Sequence, residues 1–213
     1  MNNILIKAIE KYSFLSLMEE AIIKAVQILI TCIENGGKIL ICGNGGSAAD
    51  SDHIAGEMLK GFIKKRTLPD DIRKKIQEAG GSNRLVDNLQ GCIPAISLSA
   101  HNALITAIVN DIGDGRGGEY IYAQQVLGLG DEGDVLIGIS TSGNAINVYN
   151  AAIVSKAKKL KVICLTGKTS GKLGAISDIQ LCVDETETWM IQDKHSTLYH
   201  VICASVEEYF YKI

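Results

Sequence analysis

The chain has 213 residues, 46% of them hydrophobic and 21% charged. That length and balance suit one domain with a buried core and exclude a disordered or fibrous chain. Its 21 basic and 24 acidic side chains leave a formal charge of -3, so no strong electrostatic case exists for nucleic acid or an anionic membrane as partner.

Met1 to Glu20 carries Lys7, Glu10, Lys11, Glu19 and Glu20 and lacks an apolar signal core. No apolar run approaches the ~18 residues of a membrane span. A cytoplasmic setting is expected. Ile4, Ala8, Leu15, Met18, Ala21, Ile22 and Ala25 recur at helical spacing, which predicts one long helix over about 4–34, stopped by Asn35-Gly36-Gly37. Short apolar runs at 38–42, 95–98, 135–139, 162–165 and 179–183 read as buried strands. Between and after them, helical patterns cover about 46–63, 102–111, 117–128, 145–159 and 188–211. This alternation predicts a single domain over 1–213: an α/β, three-layer α/β/α sandwich around a five-stranded parallel sheet. Lys64 to Gly91 interrupts it with mixed charge and reads as a solvated helical insertion (64–92), the alternative being a lid or subunit contact. Six cysteines stand singly without CxxC spacing, so neither a disulfide nor a zinc knuckle is expected.

Ligands of parallel sheets gather beyond the carboxyl ends of strands. Two such loops stand out. Gly43-Asn44-Gly45-Gly46-Ser47-Ala48 matches the GxGxxA form of a dinucleotide fingerprint, but no acidic residue follows at the tip of a second strand about 20 positions on, which argues against a nucleotide. Ser140-Thr141-Ser142-Gly143-Asn144-Ala145 precedes a helix, and its three hydroxyls together with free helix N–H groups make an uncharged cradle suited to phosphate. Alternatively, Ser142 or Asn144 merely caps that helix.

His53 and Glu57 lie four apart on the predicted 46–63 helix and project on one face. Gln192, His195 and His200 occupy one half of the circumference of the last helix, and each offers a nitrogen or oxygen to a divalent cation. Gln192 and His200 are separated by roughly 12 Å along a straight helix, beyond the reach of one ion. A site shared between chains resolves this.

These motifs in combination, with Thr106-Ala-Ile-Val-Asn110-Asp111 and the run from Gly133 to Asn144, resemble the sugar isomerase (SIS) fold and, within it, the phosphoheptose isomerase family. The resemblance covers most of the chain. It implies a flavodoxin-like SIS domain with long N- and C-terminal helices, the first (1–36) serving oligomer packing, and a homotetramer with sites at subunit boundaries. It also implies one zinc ion per subunit on His53, Glu57, Gln192 and His200. The phosphorylated sugar would contact Asn44, Gly45, Gly46, Ser47, Glu57, Asn110, Asp111, Ser140, Thr141, Ser142, Asn144 and Gln192. The implied reaction converts sedoheptulose 7-phosphate to D-glycero-D-manno-heptose 7-phosphate.

For such an aldose–ketose exchange Glu57 is the candidate base and His200 the partner that moves protons at the oxygens. The chain departs from the family pattern at Ala145, where STSGNS would place a serine, at His101, where many relatives carry aspartate, and in the inserted segment. These departures bear on which phosphosugar is used. A non-catalytic SIS protein of the replication-initiator-binding kind is the principal rival, but it has no need of the His53, Glu57, Gln192 and His200 set.

Overall fold

The computed structural model describes residues 3–211; the outermost two residues at each end of the expected 1–213 unit lie outside it. Five strands, β1 (Ile39–Gly43), β2 (Ala95–Ser97), β3 (Val135–Ser140), β4 (Lys161–Thr166) and β5 (Ile179–Cys182), form one sheet in the order β2-β1-β3-β4-β5. All four pairings are parallel. This is the flavodoxin-like order. Side chains alternate across the pleat: Ile39, Ile41, Val135, Ile137, Ile163 and Leu165 enter one core, while Leu40, Cys42, Leu136, Val162 and Cys164 enter the other.

The first core is covered by α1 (Asn3–Lys11), α2 (Glu19–Glu34), α3 (Gly46–Leu59) and α10 (Thr188–Phe210), and the second by α6 (Asn102–Asp111), α7 (Ile121–Leu129), α8 (Ile146–Ala157) and α9 (Gly171–Ile176). The three layers match expectation. The single helix expected over 4–34 does not form. Tyr12 leaves helical geometry at φ -127°, ψ 82°, and a 3₁₀ turn over Ser13–Met18 links α1 to α2. The Ser16 hydroxyl bonds the Ser13 carbonyl at 2.7 Å, a local bond that competes with a continuous α-helix, and the bend lets Leu15 and Met18 reach the core.

The helix expected to run to residue 63 stops at Leu59, with Lys60 extended. Tertiary capture explains the early end. Glu207 of α10 accepts the N–H groups of Phe62, Ile63 and Lys64 at 2.8, 2.8 and 3.2 Å and the Arg66 Nε at 2.7 Å. Arg66 donates onward to the carbonyls of Met58 and Glu57 at 2.5 and 2.7 Å; both side chains are fully buried, the carboxylate accepting four bonds and the guanidinium donating three. Burial alone would raise the Glu207 carboxyl; the amides of Phe62 and Ile63, with Arg66, outweigh it and hold the group below the ordinary range.

Beyond Arg66 the insertion folds as α4 (Asp70–Glu78), which buries nothing, and α5 (Asn83–Asn88), which buries Val86 alone. Both segments are helical and exposed in the single chain. Their root at Arg66 belongs to the core.

Candidate functional site

α3 begins directly after β1 and α8 begins after β3, so the two glycine- and hydroxyl-rich loops meet at the carboxyl edge of the sheet. Asn44, Gly45, Gly46, Ser47, Ser140, Thr141 and Ser142 line a cleft of about 340 Å³, with Ala145, Thr188 and Gln192 on its rim. The loops are braced from outside. Asn44 and Asn147 exchange side-chain bonds at 2.8 and 2.9 Å, and the Tyr122 hydroxyl donates to the Gly43 carbonyl. Gly143 has φ +66°, and a Cβ there would overlap the Ser170 backbone; a Cβ on Gly46 would overlap the Gln192 amide. The first position requires glycine; at the second a Cβ would displace the end of the Gln192 side chain. No lysine or arginine lines the cleft. Ala145 occupies the N-cap of α8 without a side-chain cap; Asn147 Oδ1 accepts the Val148 N–H at 2.9 Å, and the Ile146 and Asn147 N–H groups are left to offer partial positive charge to an anion.

Asn144 does not join this lining. Its amide bonds the Ser142 carbonyl at 2.9 Å and accepts from the Lys172 N–H at 3.2 Å, bracing the loop. Asn110 and Asp111 lie exposed at the end of α6, bonded to one another at 2.7 Å, and a single chain does not bring them to the cleft.

α3 and α10 start at the same edge of the sheet and run side by side, with Gly46 against Gln192 and the stretch after α3 against Glu207. Midway along them stands a second cluster. His53 Nε2 lies 3.0 Å from Glu57 Oε1, and the His53 and His200 rings are 5.0 Å apart between centroids. Phe62 stacks on the His200 ring with centroids 5.5 Å apart. Burial, with the His53 charge, lowers the His200 imidazole from its ordinary value, so it favours the neutral form. Glu57 Oε2 is buried and has no hydrogen-bond partner, with the Lys60 ammonium 3.7 Å away. A buried carboxylate oxygen left open beside two imidazoles is the chemistry of a nitrogen- and oxygen-liking cation such as zinc. His53, Glu57 and His200 therefore fit a metal in donor type. Among the described residues no three His, Cys, Asp or Glu side chains already converge as ligands, and Gln192 stands at the cleft instead.

His195, a cation donor by its helical position, turns the other way. It is fully buried, with Nε2 on the Thr166 carbonyl at 3.2 Å, and burial drives its pKa down to about 4. It is a core residue. Two residues that patterning does not single out sit against the cluster: the Tyr199 hydroxyl lies 3.0 Å from His53 Nδ1 and donates to Asp50 Oδ1 at 3.3 Å. Burial and the Asp50 charge push the Tyr199 phenol up, so it keeps its proton. Their sequence signals are faint: Asp50 three before His53, and Tyr199 beside His200.

Two family models described as SIS domain match residues 8–85 and 116–202. The phosphoheptose isomerase of Helicobacter pylori is 38% identical over 193 residues, covering 91% of this chain and 86% of the relative. The solved phosphoheptose isomerase GmhA from Neisseria gonorrhoeae superimposes with a TM-score of 0.73 at 33% identity, over 96% of this chain and 93% of that one. A phosphoheptose isomerase from Francisella tularensis gives 0.76 at 31%, over 95% and 92%.

Proposed function

Because the chain belongs to the phosphoheptose isomerase family, we propose that it interconverts sedoheptulose 7-phosphate and D-glycero-D-manno-heptose 7-phosphate. The observation that carries this reading is the pairing of an uncharged anion cleft with a Glu57–His53–His200 cluster on two helices that share the cleft's edge. The Ser140–Ser142 hydroxyls and the α8 N–H groups hold the phosphate. Glu57 takes a proton from C1 of the ketose and returns it to C2, through an enediolate. His200, kept neutral by its surroundings, carries the proton that leaves O1 to O2. Atoms balance without an external oxidant or reductant.

His53, Glu57 and His200 are the residues that would hold a zinc ion, with Gln192 of the partner subunit supplying the fourth donor. Such an ion would polarise the carbonyl and stabilise developing negative charge on its oxygen. Sharing between copies is supported by the separation of Gln192 from His200 along α10, roughly 12 Å at 1.5 Å per residue. It is also supported by Leu17, Ile23 and Trp189, large apolar side chains left 79%, 46% and 61% exposed. A homotetramer with boundary sites accommodates both. A cytoplasmic setting agrees with six free cysteines and with the finding that no described helix is long and apolar enough to cross a membrane.

The test is direct. Purified protein incubated with sedoheptulose 7-phosphate should yield the aldose phosphate, and a chelator should suppress it. No aldose under either condition overturns the reading.

A further inference from the structure

We infer that Tyr199 is a positioning residue that holds His53 as the tautomer protonated on Nδ1, so that the Nε2 lone pair faces Glu57. The inference rests on the zinc reading above and concerns what prepares this chain for the ion. A phenol has one proton to give. Tyr199 stands between two possible acceptors, Asp50 Oδ1 at 3.3 Å and His53 Nδ1 at 3.0 Å. If the proton went to His53, the Asp50 carboxylate would lose the phenol as its donor. Its other oxygen, Oδ2, is already buried without a hydrogen bond, and stripping a buried carboxylate of its donor is the costlier choice. The phenol proton therefore goes to Asp50. The phenol oxygen can then only accept, and the donor within reach is His53 Nδ1–H.

That choice has a consequence on the other side of the ring. Nε2 now carries a lone pair 3.0 Å from Glu57 Oε1, which is also an acceptor. Two acceptors at that separation are stable only with a cation or a proton between them. The hydrogen bonds running from His53 through Tyr199 to Asp50 thus turn His53 into a ready ligand, as the outer partner of a metal-bound histidine does. Tyr199 itself is nearly inaccessible, at 4% exposure, and its neighbours keep the phenol in place.

The experiment measures zinc affinity of the intact protein, stripped and reloaded, by competition with a chromophoric chelator. Tyr199→Phe removes the hydroxyl and keeps the ring; Asp50→Asn keeps the shape and removes the charge that draws the phenol proton, leaving the phenol free to donate to His53. Both should weaken zinc binding roughly 10- to 100-fold while leaving the affinity for inorganic phosphate near that of the parent; Tyr199→Phe, which strips Asp50 of its donor, should also lower the thermal midpoint. Histidine-selective nitrogen NMR of the zinc-loaded parent should show a slowly exchanging His53 Nδ1 proton, and that signal should be lost or exchange rapidly in Tyr199→Phe. His53→Ala separates the two levels of the argument. If it abolishes zinc binding while Tyr199→Phe and Asp50→Asn stay within about twofold of the parent, the positioning role is overturned and the metal reading survives. If His53→Ala binds zinc as the parent does, the metal reading falls and the inference falls with it.

Discussion

The cleft at the sheet edge offers an anion backbone N–H groups and small hydroxyls, atoms that loops supply wherever glycine lets them fold tightly. The cluster between α3 and α10 works with side chains that meet only because two helices lie side by side. The first is uncharged and open to solvent; the second sets a half-buried carboxylate against two imidazoles, with the Arg66–Glu207 pair beneath. Binding and chemistry would therefore rest on different groups, and either should be able to fail while the other survives.

The sharpest way to break this contrast is Glu57→Gln. Turnover should fall about 1,000-fold, the usual scale for a general base, while inorganic phosphate binds within twofold of the parent by calorimetry; joint loss would show that the two regions are one. Glu207→Ala should cost about 3–5 kcal/mol of stability in urea unfolding, because it leaves the Arg66 guanidinium buried without its partner. Arg66 donates to the Glu57 carbonyl, so the turnover that survives should fall further than phosphate binding does.

A third measurement separates the two histidines of α10. His195 has a pKa of about 4 against an unfolded value of 6.5. The unfolded chain then binds more protons between these values, so stability is intact above pH 6.5 and is lost as pH falls toward 4, by about 3 kcal/mol. His195→Gln should remove that part of the slope in unfolding measured against pH. The smallest expected effect is Ala145→Ser at the rim of the cleft. One more hydroxyl to a charged oxygen is worth about 1.5 kcal/mol, read as roughly tenfold tighter phosphate binding. No change would mean that the α8 N–H groups already satisfy the anion.

Much of the cleft was legible before any coordinates. Gly43–Ser47 and Ser140–Ser142 each follow an apolar run, and a loop after a parallel strand has few places to go. Asn144 shows the limit of such reading: it belongs to the motif, yet its amide is spent on Ser142 and Lys172. Asn110 and Asp111 carry the same lesson, since proximity to a site across a long insertion is not a local property. His53 and Glu57 were visible as an i, i+4 pair. Tyr199 was not, because nothing in an aromatic residue on a helix announces that its hydroxyl ends between a histidine and an aspartate. The break at Tyr12 escaped helical periodicity for a related reason: the apolar spacing continues through it, and only the Ser16 hydroxyl and the burial of Leu15 select the tighter turn.

By itself the sequence determined the alternation of strand and helix, the covered parallel sheet and the two strand-end loops. Those follow from periodicity, glycine and hydroxyl clusters, which act over a few residues. The tertiary structure alone decided which histidine of α10 stands beside His53 and which is buried in the core. Both carry the same side chain on one helix, and only the surfaces packed against them differ: the Thr166 carbonyl for His195, and the rings of His53 and Phe62 for His200. The same holds for Arg66 and Glu207, which are 141 residues apart. Charge in a sequence reads as surface until a partner of opposite sign is delivered into the same buried place, and only packing can deliver it.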